Sequence, residues 1–303
     1  MRTSGGRALM SIALPVHNGA DTLVPVIESV LAQTCPDVEL VISDNASTDG
    51  TQEICRDFAS RDRRVVYRRH EANVGLLNNF ISAARTASGA YLRWIGDSDF
   101  LEPDFVARVL EVLTDDPRLV LVTTEIVYRD DQGGESGGDG YDPSALAAPD
   151  PVDRFAAMLR LLTAGPTTVD PLYGVIRRDV ATMPRKNMMR EDQVFATRLA
   201  LAGPWGHVAA PLAVRTSGDD EPVGVARLLD VPTWRRHVRL VLQCREMSWW
   251  VGQAPLDPSQ RRRARAEILR FYARSKQVKV RRGVARLERV TGRPDRLSPS
   301  CAP

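Results

Sequence analysis

The chain reads as an α/β protein on a mostly parallel sheet, and two observations predict it. Short apolar runs alternate with stretches of helical periodicity along the first 127 residues, which is the pattern of parallel strands joined by crossover helices. The loops that follow the first four runs are rich in hydrogen-bonding side chains or glycine, as expected where strands end at a ligand site. At 303 residues and 43% hydrophobic content, the chain has material for one large domain or two ordinary ones.

Taken in order, residues 9–16 (LMSIALPV) form an apolar run that ends in His17-Asn18-Gly19, a turn signal. Leu23, Val26, Ile27, Val30 and Leu31 follow at helical spacing. The unit recurs as strand Val38–Ser43 with helix Thr51–Ala59, strand Val65–Arg68 with helix Leu76–Ala84, and strand Tyr91–Ile95 with a helix from Pro103 to Leu113. Proline suits a first helical position. A fifth strand is predicted over Leu119–Val127, then a mobile glycine-rich loop from Asp130 to Pro143. Beyond it the patterning gives a helix at Val152–Leu162, a strand at Leu172–Ile176, and a helix opened by Met188-Met189-Arg190-Glu191-Asp192 with Val194, Phe195, Leu199 and Ala202 as its apolar stripe. From Pro232 onward the sequence is helical and basic, with Pro255 and Pro258 separating Trp234–Gly252 from Ser259–Gly292. This divides the chain into a sheet domain, residues 1–232, and a helical extension, residues 233–303.

Composition narrows the function. No apolar stretch reaches bilayer length and the first residues lack a secretory segment, so a cytoplasmic protein is expected. Cys35, Cys55, Cys244 and Cys301 show neither zinc nor disulfide spacing. Lysine occurs at positions 186, 276 and 279 alone among many arginines, the usage of a GC-rich bacterial genome. Residues 234–296 carry 18 Arg or Lys against 5 Asp or Glu, a net +13 that leaves −10 on the rest. A solvated arginine-rich helix face explains this, and so does an anionic membrane surface; a nucleic-acid partner is not predicted. Trp249 and Trp250 belong either to the core or a homodimer contact, or to such a membrane boundary.

The chemistry concentrates in the loops. Asp97-Ser98-Asp99 places two carboxylates at the mouth of a strand, where they can share Mg2+ or Mn2+ with substrate phosphates; capping of the next helix is the plainer alternative. Asp49 with Gln52 reads as a capping box, which leaves Asp44 and Asn45 for a ligand. Glu191 and Asp192 suit the positive end of a helix dipole and equally suit a catalytic carboxylate. No G-x-G-x-x-G or G-x-x-x-x-G-K-[ST] motif occurs, which disfavours a dinucleotide dehydrogenase and a P-loop NTPase.

These segments, SIALPVHNG, LAQTCPDVELVISDNASTDGT, the NVG of Asn73–Gly75, YLRWIGDSDF and the EDQVF of Glu191–Phe195, resemble glycosyltransferase family 2 in family order over roughly Ser11 to Leu199. The resemblance implies the A-type glycosyltransferase fold and an inverting, metal-dependent transfer from a nucleotide sugar, UDP first among nucleotides. It implies that Pro15 and His17 border the nucleobase, His17 standing where the family usually has tyrosine, and that Asp44, Asn45 and Gly75 line the nucleotide. Asn45 replaces a family aspartate. Asp97 and Asp99 match the metal-binding pair, with Phe100 where a further acidic residue is often found; Asp192 matches the general base. Arg215 matches loosely a contact to the leaving diphosphate. A sugar-1-phosphate nucleotidyltransferase would need a G-x-G-T-R loop that ALPVHNGAD lacks, and Asp97, Asp99 and Asp192 argue against a non-catalytic binder. The acceptor stays open among a natural product, a lipid carrier and a glycan.

Overall fold

The computed structural model describes residues 9–129, 134–137, 143–164, 171–216, 232 and 234–291. Most of the expected glycine-rich loop, residues 165–170 and the polar stretch after Thr216 lie outside these.

The first half is the expected alternation. Strands β1 (Met10–Val16), β2 (Val38–Asp44), β3 (Val65–Arg69) and β4 (Tyr91–Trp94) lie in the order β3-β2-β1-β4, all parallel. The side chains of β1, β2 and β4 are almost all buried on both faces, as a sheet covered by helices on each side requires, while β3 at the edge runs from buried Val65 to exposed Arg68 and Arg69. Ile12, Leu14, Leu40 and Ile42 pack with α1 (Leu23–Leu31), α2 (Thr51–Arg61) and α4 (Phe105–Asp115). Ala13, Val41, Leu92 and Trp94 face the other way, toward α3 (Leu76–Thr86) and α7 (Glu191–Ala202).

The second half of the sheet is mixed. β8 (Val175–Arg177) runs antiparallel to both β4 and β6 (Leu121–Arg129), while β6 is parallel to β9 (Trp205–Thr216). A register shift in this last pair falls at Thr124 to Ile126, opposite Pro211, where a strand proline that cannot donate is tolerated. Part of the glycine-rich stretch, Glu135–Gly137, pairs with β6 as strand β7 instead of forming loop.

Two local expectations are corrected. The fourth helix starts at Phe105, with Asp104 at its N-cap, not at Pro103. The preceding residues are held extended, because β5 (Phe100–Leu101) pairs with Val214 and Ala213 of β9 and the Glu102 N–H donates to Leu212 O. The predicted strand at Leu172 begins instead as a 3-10 turn, Pro171–Tyr173, before β8 and the short helix α6 (Arg178–Ala181).

The C-terminal helices α8 (Arg235–Gln253) and α9 (Pro258–Thr291) pack on α5 (Pro151–Ala164) and α7. They share an apolar cluster that includes Phe155, Leu159, Val194, Met247, Val251, Ile268 and Phe271. Trp250 packs against this cluster with the Arg198 guanidinium 3.4 Å from its ring centroid, and Trp249, 53% exposed, meets the Trp250 ring edge-on with the centroids 4.5 Å apart. Among the described residues no helix is long and apolar enough to cross a membrane.

Trp94 joins the layers just before the site. It is fully buried, donates from Nε1 to Phe80 O at 3.0 Å, and meets the Phe195 ring edge-on at 6.1 Å. Trp94→Ala is expected to cost about 3–5 kcal/mol in urea unfolding, the range for emptying a buried aromatic site.

Candidate functional site

The loops that leave β1, β2, β3 and β4 meet at one end of the sheet, and backbone groups bind them to each other. Asn18 and Gly19, after β1, donate from their N–H groups to Ser47 Oγ at 3.0 Å and Thr51 Oγ1 at 2.9 Å, both after β2. In return Asn18 Oδ1 accepts the Thr48 N–H at 2.8 Å. Asn18 and Ala46 both adopt left-handed φ, 56° and 58°, which turns the two loops toward one another.

Asp44 lies at the centre of this web. Its carboxylate is fully buried and accepts the Ser47 N–H at 2.8 Å, the Tyr67 hydroxyl at 2.7 Å and Arg69 Nη1 at 3.2 Å. Burial first, and the bond to Asp44 second, push the Tyr67 hydroxyl far above its usual range. The expectation that the Asp44 carboxylate is left for a ligand is thus corrected: its oxygens already hold three donors, because a buried charge must be paired.

Asn45 sits beside it, nearly buried, and bridges to the loop after β3. Its Oδ1 accepts the Val74 N–H at 2.8 Å and its Nδ2 donates to Asn73 Oδ1 at 3.0 Å. Asn73 Oδ1 also accepts the Gly75 N–H at 2.9 Å, and Asn73 Nδ2 stands 3.5 Å from His17 Nε2. Gly75 needs its φ of 84°, a conformation that suits glycine. Pro15 is buried in β1 and His17 is exposed above it, so Pro15, His17, Asn45, Asn73 and Gly75 form one wall. Asn73 was legible as part of NVG but not as the residue that joins His17 to Asn45. Asn79, which accepts from Ser43 Oγ at 2.8 Å and donates to Val16 O at 3.3 Å, supports the wall from beneath with no sequence signal.

The Asp97-Ser98-Asp99 turn adjoins this wall. A Cβ built on Gly19 would lie 3.3 Å from Asp97 Oδ2, so the absence of a side chain at Gly19 lets the carboxylate approach the loop after β1. Burial pushes the Asp97 carboxyl above the usual range, and the Asp99 charge adds to it. Neither residue caps α4. Asp99 Oδ2 accepts the Gly96 N–H at 3.1 Å and lies 3.5 Å from Arg215 Nε of β9. Arg215 stacks 3.7 Å from the centroid of the ring of Tyr173, a residue without a motif signal, and Thr216 Oγ1 donates to Ser98 O at 2.9 Å. Among the described residues no three His, Cys, Asp or Glu side chains form a metal-holding group. Two hard oxygen ligands, one destabilised by burial and by its neighbour's charge, still fit a divalent cation that takes its remaining ligands from phosphate and water.

The remaining candidates lie on α7. Glu191 is buried, with Oε1 accepting from Arg185 Nε at 2.8 Å and Oε2 paired to the same guanidinium, whereas Asp192 beside it is exposed. The 3-10 turn that carries Tyr173 packs on α7.

Comparison with known proteins agrees with this architecture. The family model described as Glycosyl transferase family 2 matches residues 11–180. Curated relatives include the chondroitin synthase of Escherichia coli, 34% identical over 116 residues, which are 38% of this chain and 17% of that protein. The abequosyltransferase RfbV of Salmonella typhimurium is 34% identical over 102 residues, 33% of this chain and 31% of its own. The aligned segments thus span less than a third of either relative. Among solved structures, Staphylococcus aureus TarS in complex with UDP-GlcNAc superposes with a TM-score of 0.62 at 16% identity, covering 87% of this chain and 72% of TarS. The mannosyltransferase PcManGT of Pyrobaculum calidifontis, in complex with GDP-Man and Mn2+, gives 0.51 at 15% identity over 92% of this chain and 76% of its own. At those identities the likeness is one of fold, the A-type glycosyltransferase fold.

Asp49 supplies a test of how the loops hold together. It does not form the expected capping box, since Gly50 is the N-cap of α2. Its Oδ1 instead accepts the Thr51 hydroxyl at 2.6 Å and the Thr51 N–H at 3.0 Å, while Oδ2 accepts the Ala20 N–H at 3.1 Å. The Thr51 hydroxyl first, with those amides, holds its carboxyl below the usual range. A carboxyl depressed in the folded state stabilises above its unfolded pKa and loses that contribution as pH falls through the folded one. Asp49→Ala should therefore lower the urea midpoint at neutral pH, and the gap from the parent should close below the ordinary carboxylate range. An unchanged gap in acid would mean that the ionised carboxylate is not the source.

Proposed function

Because this chain belongs to glycosyltransferase family 2, whose model covers residues 11–180, we propose that it moves a glycosyl unit from a nucleoside-diphosphate sugar to an acceptor hydroxyl with inversion. The observation that carries the reading is the junction at Gly19, where the carboxylate of Asp97 adjoins the loop that also carries His17. A nucleobase on the His17 and Asn45 wall would thereby have its diphosphate directed to the carboxylate pair.

In this reading the base stacks on His17 over Pro15, and the Asn73 amide holds the imidazole face. Asn45 and Gly75 border the nucleotide, and Asp44 acts through the loop geometry it fixes. Two structural neighbours are described with UDP-GlcNAc and with GDP-Man, which supports a nucleotide sugar as donor; UDP is the nucleotide we assign. Asp97 and Asp99 would hold Mg2+ or Mn2+. When bound, the ion supplies Lewis-acid stabilisation of the diphosphate charge.

The protein's own groups do the rest. Arg215, fixed against Tyr173, contributes positive charge on the diphosphate side. Asp192 accepts the proton of the acceptor hydroxyl as that oxygen bonds to the anomeric carbon. The bond from that carbon to the diphosphate oxygen breaks in the same step, and its electron pair leaves with the nucleotide. One displacement from the opposite face inverts the centre. Glu191 does not fit the base's role, because its carboxylate is buried in the pair with Arg185.

Calorimetry with UDP and Mn2+ tests the donor side: affinity should fall in EDTA and in Asp99→Ala, and equal affinity in all three would count against the metal site. Asp192→Asn should reduce nucleotide release from UDP-sugars by roughly 10^2–10^4-fold while UDP affinity is retained. Near-parent turnover in that variant would remove Asp192 from the role.

A further inference from the structure

We propose that helix α8 docks the protein on an anionic phospholipid surface through its outward face. Trp234, Val238, Val241 and Trp249 are 60%, 37%, 51% and 53% exposed. Their positions recur at intervals that fall on one side of a helix, giving an apolar stripe about 22 Å long. Exposed Arg245 falls within the stripe, and the Arg235 guanidinium stands 5.9 Å from the Trp234 ring. The opposite face of the helix is already used, since Gln243, Met247 and Val251 are buried. Apolar residues on both faces are unnecessary for packing on one neighbour. On α9 the exposed residues Arg262, Arg265 and Leu269 continue the same mixture, Leu269 at 72% exposure.

Charge selects the occupant. Residues 234–296 carry a net +13, so two copies meeting through this face would bring like charges together. A nucleic acid would satisfy the arginines but leave the tryptophan and valine stripe in water. An anionic bilayer satisfies both, with indole and valine at the acyl boundary and guanidinium groups among the phosphates.

The test uses the whole chain and phosphatidylcholine vesicles with and without phosphatidylglycerol, at low and high salt. Sedimentation should show binding to the anionic vesicles alone, weakening as salt rises. The Trp234→Ala, Val241→Ser double variant should bind about tenfold or more weakly, with its melting temperature unchanged because both side chains are more than half exposed. Equal binding to neutral vesicles, no binding at low salt, or full binding by the double variant would overturn the proposal. So would concentration-dependent dimerisation that the double variant abolishes without any vesicle binding.

The inner face of α8 carries a second inference, which rests on reading Asp192 as the base: Gln243 is a positioning residue for it. Arg190, just ahead of α7, has φ 63° and ψ 30°, left-handed backbone that a non-glycine residue enters against a steric penalty. Its Nη1 donates to Gln243 Oε1 at 3.0 Å, and Gln243 Nε2 donates to Gln193 Oε1 at 2.8 Å. Gln243 is fully buried, so one amide ties together the residues that flank Glu191 and Asp192. Glu191 is clamped to Arg185, and the turn that presents Asp192 is thereby fixed on three sides.

Gln243→Met keeps the bulk and removes both bonds; it should lower kcat for nucleotide release about tenfold, with UDP affinity and donor KM near the parent. Gln243→Glu, which can still accept from Arg190, should recover part of the loss. Arg190→Gly, which relaxes the backbone but cuts the tether, should show the same kcat effect and covers the case in which Gln243→Met does not fold. Parent-like kcat in both Gln243→Met and Arg190→Gly, beside an inactive Asp192→Asn, would sink the positioning role alone. Parent-like turnover in Asp192→Asn would sink the base assignment beneath it.

Discussion

The buried carboxylate of Asp44 imposes the constraint from which the loop end of the sheet follows. A carboxylate with no exposure has to be paired, and here an amide, a phenol and a guanidinium drawn from β3 and the turn after β2 do so. The Ser47 amide can reach it because Ala46 takes a left-handed turn. That turn brings Ser47, Thr48, Asp49 and Thr51 to the loop after β1, so the shape of one wall depends on the satisfaction of one buried charge. Nearby, Cys55 has its thiol pushed up to about 12, by burial first and then by the charges of Asp44 and Asp49, which keeps it inert in the core beneath the site.

The second carboxylate centre is built on the opposite principle. Burial raises the cost of ionising Asp97, and the charge of Asp99 beside it adds to that cost. Asp99 gains the Gly96 amide and the Arg215 guanidinium, whereas Asp97 gains space from Gly19. A site that is incomplete without added positive charge is suited to bind a cation together with an anionic substrate. The small strand β5 holds this turn against β9, and so couples its position to Arg215 and Thr216 at the end of that strand.

The helical C-terminal region serves the sheet indirectly. It touches α5 and α7 through an apolar cluster, and through Gln243 it reaches the residues beside Asp192. Buried Arg198 between Phe195 and Trp250 belongs to the same contact; burial holds its guanidinium down at about 10. A motif that looked local in sequence is therefore braced by a helix some fifty residues later.

The sequence by itself determined the alternating strands and helices through β6, where the loops between them fall, and the family, because apolar runs, 3.6-residue periodicity and turn residues are local properties. It did not determine the antiparallel insertion of β8 between β4 and β6 or the pairing of β5 with β9, which join segments far apart in the chain. The same limit applied to side chains. Asp44 and Asn45 are adjacent and polar, yet tertiary packing engages the carboxylate of the first with Tyr67 and Arg69 and sets the amide of the second as a bridge to Asn73. Glu191 and Asp192 are likewise adjacent carboxylates, and the sequence could not rank them beyond a motif. Arg185 buries one and leaves the other at the surface, because on a helix consecutive residues project about 100° apart, and the neighbouring helices decide which of the two faces water.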